Sequence, residues 1–136
     1  MILYFLDSNV CIDYMRKGKR AEKIDAKIFE VGPRNIKIPA IVMAELMHGA
    51  YKSKRSAETL KDTTNFLANF EIIPFDFLEA IAYGKIRADL ERRGKIIGYH
   101  DMQIAATALV YNATLVTNNT EEFSRIEGLH LSDWTI

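Results

Sequence analysis

The chain has 136 residues, no formal net charge at pH 7 and 49% apolar residues. That length suits one domain, and the apolar fraction supports a buried core, which excludes a disordered chain. Zero net charge excludes a global basic field for nucleic acid but leaves local patches free to steer it, and no apolar run reaches membrane-spanning length.

The lone cysteine, Cys11, cannot form an internal disulfide and fits a reducing cytoplasm. The first residues, Met1 to Leu6, are apolar but lack a basic flank and stop at Asp7, so they do not read as a signal peptide. They do not alternate either, and read as a strand buried on both faces. Ser8 or Asn9 can cap a short helix over Val10 to Arg16. A second helix covers Ala21 to Val31, with Ile24, Ile28 and Val31 on one face, and Gly32-Pro33 stops it. Ile36 to Pro39 reads as a strand, followed by helices over Ala40 to Ser53 and Ser56 to Asn69. Glu71 to Pro74 is a further strand. Asp76 caps a long helix over Phe77 to Arg93, with Ile81, Ile86 and Leu90 as its buried stripe. After a loop from Gly94 to Gly98, a helix opened by His100 or Asp101 runs over Met102 to Tyr111. Thr114 to Thr117 is a strand, Thr120 to Phe123 a helical turn and Leu129 to Leu131 a last strand. This alternation predicts a single α/β domain over residues 1–136, with a mostly parallel central sheet flanked by helices on both faces.

Three acids stand in otherwise uncharged stretches. Asp7 is the only charged side chain from Met1 to Ile12, Glu45 from Ile38 to Met47, and Asp101 from Ile96 to Thr120. Each follows a strand or opens a helix, where a doubly wound fold collects functional groups. Asp7 and Asp101 could singly be helix caps, but Glu45 lies too deep in its helix for that. Brought together at about 4 Å, each pair of carboxylates would cost roughly 1–4 kcal/mol. A hard divalent cation, Mg2+ or Mn2+, resolves the conflict. It would lower the pKa of a bound water and neutralise charge on a phosphate.

Four motifs then resemble one family. Leu6-Asp7-Ser8-Asn9, Ile38-Pro39-Ala40 through Ala44-Glu45-Leu46, Ile97-Gly98 through Asp101 and Ile104-Ala105-Ala106, and Leu115-Val116-Thr117-Asn118-Asn119 through Phe123 look like PIN-domain ribonucleases. More closely they look like the VapC toxins of bacterial toxin–antitoxin pairs. The ending Gly128-Leu129 through Asp133-Trp134 is similar too. The resemblance implies a single PIN domain and a Mg2+- or Mn2+-dependent endoribonuclease, with structured RNA such as tRNA as substrate. Asp7, Glu45 and Asp101 match the family's acidic positions and become the expected catalytic and metal-holding residues. A fourth acid is usual after the last long strand. Asn119 stands there, with Glu122 close by, and Thr117, Asn119 and Asn9 are expected to support the site. A cognate antitoxin, a homodimer within a larger toxin–antitoxin assembly and a cytoplasmic, membrane-free location are also implied.

Basic clusters at Arg16 to Arg20, Lys52 to Arg55 and Arg92 to Lys95 read first as solvated helix ends. If they ring the acids, Arg92, Arg93, Lys95 and Lys52 are candidate RNA contacts. His48 reads as a surface or interface residue, and His100 beside Asp101 as a loop histidine near the site mouth rather than a general base. The apolar helices around Met43, Met47 and Tyr51, and around Phe66 and Phe70, could form a homodimer face or an antitoxin groove, with core packing the equal alternative. Two alternatives remain on sequence grounds: a catalytically silent RNA-binding module and a metal-dependent phosphatase.

Overall fold

The computed structural model spans residues 1–136. Its elements are β1 (Tyr4–Leu6), α1 (Ser8–Met15), α2 (Lys19–Val31), a 3-10 turn (Pro33–Asn35), β2 (Ile36–Pro39), α3 (Ala40–Lys52), α4 (Ser56–Leu67), β3 (Glu71–Ile73), α5 (Phe77–Arg92), α6 (Tyr99–Val110), β4 (Thr114–Val116), α7 (Thr120–Phe123) and β5 (His130–Ser132). All five strands pair in parallel, in the order β3-β2-β1-β4-β5. The sheet is therefore wholly rather than mostly parallel. No helix is long and apolar enough to cross a membrane.

Consecutive strand residues point to opposite faces. Phe5 and Leu6 are both buried, as are Leu115 and Val116, so helices cover both faces at the sheet centre. This explains the unbroken apolar runs in sequence. The strand starts later than Met1, because Met1 and Ile2 have no neighbouring strand and stand in solvent.

Helix ends also differ. α2 begins at Lys19, so the Arg16–Arg20 cluster spans the end of α1 and the start of α2. α6 opens at Tyr99 with Gly98 as its cap, which puts Asp101 in the first turn rather than at the cap. On α5, Ile86 and Leu90 are buried but Ile81 is 44% exposed. Its place in the interior is taken by Glu79, which accepts the Asp76 backbone N–H at 2.9 Å while Asp76 accepts that of Phe77 at 3.0 Å. This capping box buries a carboxylate without leaving it unpaired. Phe66 belongs to the core, with Phe70, Met43 and Met47 packed against it, whereas Tyr51 is exposed.

Asp76→Ala removes the side-chain acceptor of the Phe77 N–H and leaves the backbone N–H that Glu79 accepts. A urea titration should show stability lower by about 1 kcal/mol, the usual cost of deleting an acidic N-cap.

Candidate metal centre

From β1 the chain steps to β2 and β3 on one side, then returns to place β4 on the other. Strand order thus reverses between β1 and β4, and a crevice opens beyond their carboxyl ends. Asp7 is the first residue past β1 and Thr117 the first past β4. The Asp7 backbone N–H bonds the Val116 carbonyl at 2.9 Å, which locks the two strand ends together.

Asp7 is only 4% exposed. Its Oδ1 accepts the Ser8 N–H at 2.8 Å, making Asp7 the N-cap of α1, and its Oδ2 accepts the Thr117 hydroxyl at 2.8 Å. Asp7 therefore caps α1 while lying at the crevice beyond β1 and β4. Burial pushes its carboxyl above the ordinary range, the Thr117 and Ser8 hydrogen bonds oppose that, and nearby Glu45 adds to it. Thr117 in turn accepts the Asn119 N–H at 3.0 Å.

Glu45 sits in the second turn of α3, which starts directly after β2. The Ser8 hydroxyl donates to its Oε1 at 2.6 Å. Ser8 therefore touches two acids, Asp7 through its backbone and Glu45 through its side chain. Sequence reading took Ser8 only as a possible cap, because its partner lies 37 residues away. His100 Nδ1 is 3.7 Å from Glu45 Oε2, with its ring largely in solvent.

Asp101 shows how close the acids are. Burial first, then Asp7, Glu45 and Glu122, raise its pKa from 3.8 to about 6, with His100 opposing. Glu122, on α7, is held by the Asn119 amide at 3.2 Å. Asn119 thus occupies the expected fourth position as a donor that orients an acid three residues on. No Lys or Arg pairs with Asp7, Glu45, Asp101 or Glu122. A Cβ built on Gly98 would stand 3.4 Å from Asp101 Oδ2, so glycine lets the backbone come close to this carboxylate. The donor set, four carboxylates and no cation, fits a hard divalent ion in charge and chemistry. The side chains share one field without yet converging on one ion position.

The expected supporting residues divide. Thr117 bonds Asp7, and Asn119 bonds Thr117 and Glu122, whereas Asn9 is exposed and bonds none of the acids. Arg92, Arg93 and Lys95 lie where α5 turns into α6, and Arg93 is tied to Asp89 at 2.7 Å and to the Arg125 carbonyl. Arg125 donates to the Ile96 carbonyl at 3.2 Å, fastening this turn to the segment after α7. Lys52 is exposed at the far end of α3, about 10 Å of helix rise beyond Glu45.

The PIN domain family model matches residues 4–129. Ribonuclease VapC2 of Rickettsia felis is 38% identical over 133 residues, covering 98% of both chains. The tRNA(fMet)-specific endonuclease VapC of Shigella flexneri is 33% identical over 135 residues, 99% of this chain and 100% of that one. In the crystal structure of DNA-bound VapBC from Salmonella typhimurium, a chain 34% identical matches with a TM-score of 0.92, covering 98% of this chain and 99% of that chain. With the family model spanning nearly the whole sheet and relatives matched end to end, this chain belongs to the PIN-domain family, among the VapC ribonucleases.

Proposed function

We propose that this protein is an endoribonuclease toxin dependent on Mg2+ or Mn2+, with Asp7, Glu45 and Asp101 holding the metal and a cognate antitoxin neutralising it. The observation that carries this reading is the uncompensated negative charge at the β1/β4 crevice. A divalent ion bound there supplies positive charge to the phosphate and lowers the pKa of attacking water. The chain's own part is to hold that charge in place. Thr117 and Ser8 fix Asp7, Ser8 fixes Glu45, and Asn119 fixes Glu122. None of these groups is placed as a nucleophile, which suits hydrolysis by water. The name of the Shigella relative supports tRNA as the substrate class, and likeness to a chain solved as part of VapBC supports an antitoxin partner. The working form is a cytoplasmic homodimer inside that larger assembly.

Asp7→Asn keeps a good helix cap but loses the charge. It should leave the fold intact by circular dichroism and abolish Mn2+ binding by calorimetry together with RNA cleavage. Wild-type cleavage that persists in EDTA would sink the metal reading, and RNA binding without cuts would favour the silent module.

Ser8→Ala frees Glu45 without touching a carboxylate. Metal affinity and cleavage should both fall by about 10–100-fold, as for other groups that orient metal ligands, and Ser8→Thr should restore them.

Asp101 also makes stability depend on pH. Its folded pKa, about 6, exceeds the unfolded 3.8, so the folded state binds more protons between them. Its support for folding is therefore complete below about pH 4 and lost as pH rises through about 6. Thermal melts of metal-free protein should show lower Tm above pH 6, Mn2+ should reverse the drop, and Asp101→Asn should flatten the slope.

A further inference from the structure

Tyr99 stands two residues before Asp101 in the same first turn of α6. Two trans peptide steps span at most about 7.6 Å, so the backbones of the two residues are close neighbours. The Arg87 guanidinium lies over the Tyr99 ring, 4.6 Å from its centroid. Arg87 does not wander there: it also donates to the Tyr83 hydroxyl at 3.3 Å and to Glu91 at 3.4 Å. One ring face is therefore covered and the ring is braced, yet Tyr99 remains 59% exposed. Tyr99 makes no hydrogen bond to another element, and no core residue needs it. The contact with Arg87 joins α6 to α5, but it leaves a large aromatic open to water in the same helical turn as Asp101.

The surroundings favour an anionic chain. Lys95 has no acidic partner, and Arg92 makes only a loose 3.6 Å approach to Asp89. Both precede Tyr99 in the turn that joins α5 to α6. His100 adds a second exposed ring on the side of Glu45.

We propose that Tyr99, backed by Arg87, is a stacking platform for an unpaired nucleobase adjoining the phosphate to be cut. The proposal rests on the ribonuclease reading and adds a specificity element to it. A planar base would stack on the open ring face while Arg92 and Lys95 meet flanking phosphates. The chain would then select a looped or single-stranded position, because a paired base offers no free face. The stack is indifferent to base identity, so the preference is for unpaired geometry.

The test uses the full-length protein and unfractionated tRNA, with Tyr99→Phe, Tyr99→Leu and Tyr99→Ala. Cleavage with Mn2+ gives KM and kcat, and anisotropy of end-labelled tRNA in EDTA gives affinity. Losing one stacked base costs about 1–3 kcal/mol, so Tyr99→Ala should raise KM and Kd by about 5- to 150-fold while kcat changes little. Tyr99→Phe should match wild type and Tyr99→Leu should resemble Ala. If Leu restores full affinity, plain apolar contact replaces stacking and the proposal falls. It falls too if KM and Kd stay constant, or if the variants instead change the particle mass by light scattering, which would make Tyr99 a protein contact. Failure of wild type to cleave, with tRNA binding still sensitive to Tyr99, would defeat the ribonuclease reading and leave the platform standing.

Discussion

Everything at the site hangs on Asp7 being gripped from two directions. One oxygen belongs to the start of α1 and the other to the hydroxyl of Thr117, a residue 110 positions later. A buried carboxylate is costly unless such bonds are made. Here they are made by groups that carry no positive charge. The grip therefore orients the carboxylate while leaving its charge unspent. Glu45 is treated the same way by the Ser8 hydroxyl. A lysine in either place would have neutralised the carboxylate instead of only orienting it.

The architecture serves that arrangement. Because β1 is central and β4 joins it on the far side from β2, each neighbour delivers a residue at the same edge. α3 starts without a loop after Pro39, so Glu45 is placed by strand register alone. α6 enters at Gly98, where the missing side chain lets Asp101 come close. The cost is a group of carboxylates in conflict with one another, visible in the raised pKa of Asp101.

Much of this was legible in the residue pattern. Unbroken apolar runs followed by single acids marked β1, α3 and α6 because burial on both faces leaves no room for other charges. Strand and helix order predicted the parallel sheet for the same reason. What was not legible depends on contacts far apart in sequence. Ser8 looked like a cap, since nothing local reveals a bond to Glu45. Asn119 looked like a missing acid, although it steadies Glu122 on the next turn. Ile81 fitted the helical period of α5, but Glu79 took the interior position once Asp76 could satisfy it. Asn9 shared the motif of Asp7 yet points to no acid, because adjacent residues on a helix face different ways.

The bond between Asp7 and Thr117 also sets a timetable. Synthesis runs at about 5–20 residues per second from the N-terminus, so the first acid leaves the ribosome well before the strand that anchors it. The acids of the crevice stay scattered until β4 is available, and only the pairing of β1 with β4 brings its two ends into register. A product interrupted before Thr114 has neither that strand nor the hydroxyl past its end. Until that long-range pairing forms, Asp7 lacks the hydroxyl that orients it, so the crevice is among the last parts of the fold to be completed.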